Sequence, residues 1–134
     1  SELRYKKINK NKRILFIFIS QSGETMDTLM ALKYVKKIKH KSIVITNSLE
    51  SSMVREAEVT IPTYAQKEVG VASTKAFTCQ LLSLANLALE VGRMEKTISN
   101  QIYKMNIGLL TKLPSKIEKL IKGSLQALKI FQKN

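Results

Sequence analysis

The sequence predicts an α/β domain of three layers, in which helices cover both faces of a parallel β-sheet. Three observations support this fold class: a short apolar run, a segment with helical spacing of apolar residues, and two further short runs divided by a second helical segment. Strands that alternate with helices are joined by right-handed crossovers, so they form a parallel sheet. With 134 residues and 44% hydrophobic composition, the chain can form one compact domain with a core.

The first predicted strand is Ile14–Ile19, a continuous run of β-branched and aromatic residues. A run without polar alternation is typical of a strand that is buried on both faces of the sheet. The polar segment Ser20–Thr25 then turns the chain into a helix that starts at Met26, where apolar residues recur at helical spacing. His40 follows among lysines at the end of this helix, and we expect a solvated residue there rather than a catalytic base.

The second and third predicted strands are shorter. The second is Ser42–Asn47, after which Ser51 and Ser52 cap a short helix. The third strand, Val59–Thr63, contains Pro62. Because proline cannot donate a hydrogen bond to a neighbouring strand, it favours a sheet edge or the end of a strand.

A long, largely apolar helix is predicted over residues 72–91, and Gly92 is its predicted stop. A helix with so wide an apolar stripe is normally buried in a domain or packed on a partner. Cys79 lies within this helix, and no histidine is close to it in the sequence. We therefore interpret Cys79 as a packing residue rather than a nucleophile.

Two amphipathic helices follow over residues 96–113 and 115–131, divided by Pro114. Proline cannot occupy a helix interior without removing a hydrogen bond, so a boundary is expected there. The predicted organisation is one domain over the whole chain, with a core at 13–92 and C-terminal helices at 96–131.

Composition limits the classes of partner. The formal net charge is +13, from 23 basic and 10 acidic residues. The basic cluster Lys6–Arg13 contains no interleaved aromatic residues, so we interpret it as a solvated loop and expect no nucleic-acid partner. No apolar run reaches the roughly 20 residues that a membrane span requires, and no membrane partner is expected. The single cysteine fits a reducing, cytoplasmic location, and the basic balance suits an anionic small ligand.

The segment Ser20–Thr25, which reads SQSGET, lies where a parallel strand ends and a helix begins. Ligands of open α/β sheets bind at that edge, where the first N–H groups and the dipole of the next helix favour an anion. Four side chains would add further donors: Ser20, Gln21, Ser22 and Thr25. Capping of the helix by Ser22 is the simpler alternative, but it explains only one hydroxyl. The segment is neither a P-loop nor a dinucleotide fingerprint, which favours a small phosphate ester.

Several segments resemble a known family. Ser20–Thr25 with Asp27–Leu29 is similar to the phosphosugar loop of the sugar isomerase (SIS) domain, which has a flavodoxin-like fold. Ser51–Glu56 and the segment Glu68–Thr78, which reads EVGVASTKAFT, narrow the resemblance to the first SIS half of glutamine–fructose-6-phosphate aminotransferases, also called glucosamine-6-phosphate synthases. The resemblance covers nearly the whole chain. Three departures flank the motifs: Glu50, Lys67 and Cys79.

The resemblance implies a site for fructose 6-phosphate or glucosamine 6-phosphate. By motif match, its phosphate ligands would be Ser20, Gln21, Ser22 and Thr25. Val71 would contact the sugar through its backbone, with Ser73 close by. The family transfers ammonia from glutamine to fructose 6-phosphate and isomerises the product to the amino sugar phosphate. We expect no metal and no cofactor, and the roles of Glu68 and Lys75 stay open.

The resemblance also implies that the chain is a fragment of a longer enzyme. It lacks an early strand of the SIS half, the second SIS half, which holds the catalytic groups, and the glutaminase domain. No catalytic residue is therefore assigned within the chain. We expect a homodimer and little or no turnover from the fragment alone. Two alternatives remain: a SIS module through which a transcriptional regulator senses a phosphosugar, and a purely structural unit formed around the apolar helix at 72–91.

Overall fold

The structure is a computed structural model that describes residues 2–9, 13–70 and 72–131, without the side chains of Arg4 and of residues 126–131. Val71, one of the predicted sugar contacts, and Lys10–Lys12 of the basic cluster lie outside the described residues. The chain forms two compact units, Ser1–Ala85 and Asn86–Asn134.

The first unit is built on a three-stranded parallel sheet, which confirms the predicted α/β class. The strands lie in the order of the sequence: β1 (Leu15–Ser20), β2 (Lys41–Thr46) and β3 (Val59–Pro62). Ser20 pairs with Thr46, and Thr46 pairs with Pro62. The carboxyl ends of the three strands therefore align at one edge of the sheet, and Pro62 is the last strand residue, as its missing N–H predicts.

Helices α1 (Met26–Lys37) and α2 (Ser52–Glu56) pack on the sheet, and α3 (Lys75–Met94) begins in the same unit. A 3₁₀ helix at Glu2–Tyr5 precedes β1 and contacts α1. The core between α1, α2 and the strands consists of apolar side chains that are almost completely buried: Phe18, Leu29, Ala31, Leu32, Val35, Val44 and Met53. Burial of each large side chain stabilises the fold by about 1.5–3 kcal/mol.

One face of β1 is open. Phe18 and Ser20 are buried, whereas Leu15, Ile17 and Ile19 remain 40–48% exposed. Successive side chains of a strand point to opposite faces, and α1 covers the face that carries Phe18. The main helix contact of β1 is with α1, so the face that carries Leu15, Ile17 and Ile19 stays largely open. The prediction of a strand buried on both faces is therefore wrong.

Helix α1 ends in a Schellman turn. The N–H of Lys39 donates to the carbonyl of Lys36 at 3.0 Å, and the N–H of His40 donates to that of Val35 at 3.2 Å. Lys39 adopts a φ of 62°, which reverses the chain and directs His40 inward. His40 is only 7% exposed, and its ring centroid lies 5.7 Å from that of Phe16. The prediction of a solvated histidine is wrong because the turn was not anticipated.

We expect Lys39→Gly to stabilise the first unit by about 1 kcal/mol, measured from the midpoint of urea unfolding. A residue with a Cβ in the left-handed region costs roughly 1–2 kcal/mol, and the greater freedom of glycine in the unfolded chain offsets part of that gain. Lys37→Gly is the matched control, because Lys37 is still helical. It should destabilise by about 0.5–1 kcal/mol. Equal destabilisation by both changes would contradict the assignment of the turn.

The second unit contains the end of α3 and the helices α4 (Asn100–Thr111) and α5 (Leu113–Phe131). Helix α3 continues through Gly92, so the prediction that the helix stops at Gly92 is wrong. The chain leaves the helix after Met94, and Lys96 supplies the left-handed residue with a φ of 57°. Helix α4 is capped at Ser99, whose Oγ accepts a hydrogen bond from the N–H of Ile102 at 3.2 Å.

The break between α4 and α5 falls at Lys112 and not at Pro114. Pro114 lies in the first turn of α5, where N–H groups have no partner within the helix and a proline is tolerated.

Phe77 and Leu81 of α3 remain about half exposed, and α4 has no buried residue. Among the described residues, no helix is both long and apolar enough to cross a membrane.

Candidate functional site

Three loops meet at the carboxyl edge of the sheet. One follows β1, one follows β2 and one follows β3. Together they line a cavity of about 490 Å³, with these residues in its wall: Gln21, Asn47, Ser48, Tyr64, Gln66, Lys67 and Glu68. The volume lies within the range of roughly 300–1,000 Å³ that small-molecule sites occupy, and the position is the usual ligand edge of a parallel sheet.

Ser20 holds the loop after β1 together from the inside. Its buried Oγ accepts a hydrogen bond from the N–H of Gly23 at 3.0 Å and lies 3.1 Å from Oγ1 of Thr25. The Oγ of Ser22 accepts from the N–H of Glu24 at 3.2 Å. The loop is therefore a compact turn, with Ser22 and Thr25 exposed and Gln21 in the cavity wall.

Gly23 allows this turn to pack against the start of α2. Its φ is 66°, and its carbonyl accepts from the N–H of Met53 at 3.1 Å. A Cβ at this position would lie 2.5 Å from the Cβ of Ser51 and closer still to its Oγ. Real Cβ atoms do not approach other carbons this closely, so only glycine fits without a shift of the backbone.

The N-terminus of α1 opens towards this loop. Thr25 is its N-cap residue and makes no side-chain capping hydrogen bond. Ser22 accepts from Glu24 within the loop, so it is not the cap of α1 that the simpler alternative requires. The first N–H groups of a helix have no partner within the helix, and with the helix dipole they can bind an anion.

Glu24 turns away to α2. Its Oε1 accepts from the N–H of Ser52 at 2.7 Å. This backbone hydrogen bond, the Ser52 side chain and, more weakly, the Arg55 cation hold the pKa of Glu24 below its ordinary value. Ser51, the predicted cap, is the N-cap residue but donates through its Oγ to the carbonyl of Ser48 at 2.9 Å. A carboxylate from another loop therefore takes the capping role predicted for Ser51.

Asn47 joins the loops, although it is not among the residues that the sequence predicts for the site. Its N–H donates to the carbonyl of Gln21 at 3.2 Å. Its Nδ2 donates to the carbonyl of Gln66 at 2.7 Å, while its Oδ1 accepts from the N–H of Ala65 at 2.8 Å. Oγ1 of Thr63 donates to the same Oδ1 at 3.1 Å. An asparagine at the end of a buried strand is the only sequence signal for this role.

Glu68 and Lys75 hold the segment between β3 and α3. Oε1 of Glu68 accepts from the N–H groups of Thr74 at 2.8 Å and Lys75 at 3.1 Å, so the carboxylate caps α3. The hydrogen bond from Thr74 is the main cause that lowers the pKa of Glu68. Lys75 Nζ donates to the carbonyl of Lys67 at 2.7 Å. In the structure, both residues position this segment.

The predicted site residues fall on two segments. Ser20, Gln21, Ser22 and Thr25 share the loop after β1, and Gln21 reaches the cavity. Oγ of Ser73 donates to Oε2 of Glu68 at 3.1 Å, and Glu68 also lines the cavity. Val71 lies outside the described residues. In the part of the chain that the structure describes, no group of His, Cys, Asp and Glu could hold a metal ion.

Comparisons with known proteins identify one family. The family model of the SIS domain matches residues 1–90. A glutamine–fructose-6-phosphate aminotransferase of Bradyrhizobium diazoefficiens is 42% identical over 130 residues, which cover 97% of this chain and 21% of the relative. The chain thus spans about a fifth of the length of the curated relatives it matches.

Two solved structures are similar to the chain in fold. The C-terminal domain of glucosamine-fructose-6-phosphate aminotransferase from Francisella tularensis has a TM-score of 0.75 and 38% identity, over 85% of this chain and 32% of that one. Glucosamine-6-phosphate deaminase from Thermotoga maritima has a TM-score of 0.62 and 27% identity, over 85% of this chain and 34% of that one. The names of both of these proteins contain a hexose phosphate.

Proposed function

The chain belongs to the SIS domain family, and from that premise we propose that it is the hexose-phosphate-binding part of the isomerase domain of a glutamine–fructose-6-phosphate aminotransferase. The observation that carries the proposal is the loop Ser20–Thr25 at the carboxyl edge of the sheet, beside a cavity of about 490 Å³. The names of the relatives support the proposal, since they specify an isomerising transfer to fructose 6-phosphate. The full reaction would convert fructose 6-phosphate and glutamine to glucosamine 6-phosphate and glutamate.

The phosphate would bind at the N-terminus of α1. The donors would be main-chain N–H groups together with the side chains of Gln21, Ser22 and Thr25. The Ser20 hydroxyl shapes the loop through its hydrogen bonds with the N–H of Gly23 and the hydroxyl of Thr25. These groups are neutral, so binding would rest on hydrogen bonds and on the helix dipole. The sugar would extend from Gln21 across the cavity towards Glu68, with Val71 and Ser73 on the same segment.

The chemistry itself would lie outside these residues. Opening of the sugar ring, proton transfer and delivery of ammonia require acid–base groups and a glutaminase, which we place in other parts of a longer enzyme. The described residues would bind and orient the substrate. A cytoplasmic homodimer that does not bind nucleic acid or membranes fits this function.

The proposal is tested by titration of the chain with glucosamine 6-phosphate, followed by amide chemical shifts. We expect saturable shifts at Gln21, Gly23 and Thr25, because their N–H groups lie in the phosphate loop. Glucosamine without phosphate is the control and should leave these amides nearly unchanged. If the amides of the folded chain do not respond to the phosphorylated sugar, the proposal is wrong. An assay for glucosamine 6-phosphate formation should detect no product from the chain alone, and appreciable product would overturn the non-catalytic role.

A further inference from the structure

Tyr64 stands out in the wall of the cavity. Its side chain is 80% exposed, and its backbone has a φ of 53°. The left-handed region is unfavourable for a residue with a Cβ, and glycine or asparagine would occupy it more easily. The ring gains little from burial that could offset this cost. Residues held in sparsely populated backbone conformations cluster at active sites and ligand-binding segments.

The backbone on both sides of Tyr64 is fixed. Thr63 and Ala65 are buried, and Oγ1 of Thr63 and the N–H of Ala65 donate to Oδ1 of Asn47, at 3.1 Å and 2.8 Å. The N–H of Thr63 also donates to the carbonyl of Thr46 at 3.0 Å. The carbonyl of Gln66 accepts from Nδ2 of Asn47 at 2.7 Å, and Gln66 also has a left-handed φ of 59°. These hydrogen bonds fix the backbone of the loop, and the backbone in turn sets the direction of the Tyr64 side chain.

We propose that the ring of Tyr64 is a stacking surface for the sugar ring of a phosphorylated hexose. The proposal rests on the proposed function and deepens it: the loop Ser20–Thr25 would hold the phosphate, and Tyr64 would select the sugar. Gln21 and Tyr64 line the same cavity, so one ligand can contact both loops. An aromatic face packs well against the C–H groups of a sugar ring, and the phenol can hydrogen-bond its hydroxyls. Tyr64 would thus be a specificity residue and not a catalytic one.

The test compares the affinity of the whole chain for glucosamine 6-phosphate with its affinity for inorganic phosphate. Tyr64→Asn removes the ring, and asparagine tolerates the left-handed backbone, so the fold should remain. We expect it to weaken glucosamine 6-phosphate binding about 5- to 10-fold and to leave phosphate binding within about twofold. Tyr64→Phe keeps the ring and should bind within about threefold of the original chain. The control is Tyr5→Ala, since Tyr5 is 83% exposed and does not line the cavity.

Two results would overturn the inference while the proposed function stands. In one, the original chain binds glucosamine 6-phosphate, and Tyr64→Asn binds it equally well. In the other, Tyr64→Asn loses affinity for glucosamine 6-phosphate and for inorganic phosphate by the same factor, which would indicate a general disturbance of the loops. If the original chain binds neither compound, the proposed function fails first and the inference fails with it. Unfolding midpoints for all variants separate a loss of contact from a loss of fold.

Discussion

Gly23→Ala is expected to destabilise the first unit by about 3 kcal/mol and to abolish measurable binding of glucosamine 6-phosphate. Two effects add. The φ of 66° costs an alanine roughly 1–2 kcal/mol, and the contact of its Cβ with Ser51 adds an overpacking cost of roughly 1–3 kcal/mol. The backbone relieves the contact only if the loop moves from its place beside α2. Urea unfolding gives the stability, and calorimetry gives the affinity.

Gly108→Ala is the matched control for this change. Gly108 lies inside α4, and a Cβ there meets no atom within 4 Å. Alanine should stabilise the helix by about 0.5–1 kcal/mol. Gly23→Ala combined with Ser51→Gly should recover the part of the loss that the contact causes and retain the part that the backbone conformation causes. A Gly23→Ala protein as stable as the original chain would contradict this account of the loop.

Gln21→Glu is expected to weaken glucosamine 6-phosphate binding about 100-fold with little change in stability. The change preserves the shape of the side chain but replaces a donor with an anion beside the phosphate. A lost hydrogen bond to a charged group and the repulsion at close range together account for about 2–4 kcal/mol. The fold should tolerate the change, because the contacts that Gln21 makes with Asn47 and Thr46 use its main-chain carbonyl.

Gln80→Glu makes the same chemical change in α3, outside the lining of the cavity. It should bind glucosamine 6-phosphate within about twofold of the original chain, because a single charge away from the site is largely screened. If Gln21→Glu also binds with unchanged affinity, the phosphate does not lie at the loop, and the proposed site is wrong.

The strands and helices were predictable because their signals are local. The predicted strand Ile14–Ile19 and the observed Leu15–Ser20 differ by one residue at each end, since a short β-branched run between polar segments defines the strand. The exposed face of β1 was not predictable, because burial depends on which elements lie beside a strand. The same limit applies to His40, whose burial follows from a left-handed residue that its lysine neighbours do not signal.

The candidate site was predictable only in part. The loop Ser20–Thr25 is a contiguous motif, so the sequence locates it directly. Asn47 bonds to Ala65 and Gln66, which follow it by 18 and 19 positions in the chain. Contacts between residues so far apart in the sequence become visible only in three dimensions. Glu68 and Lys75 were singled out from the motif, but their capping and clamping roles required hydrogen-bond geometry.

The position of Asn47 has a consequence for protein engineering. Asn47, which follows β2, binds the loop after β1 through its main-chain N–H and the segment after β3 through its side-chain amide. The conformations of the three segments therefore depend on one another. A loop grafted alone from a related domain would arrive without the partner that fixes its path. Chimeras should therefore exchange the segments as a set together with the asparagine, and diversified libraries should hold that position constant.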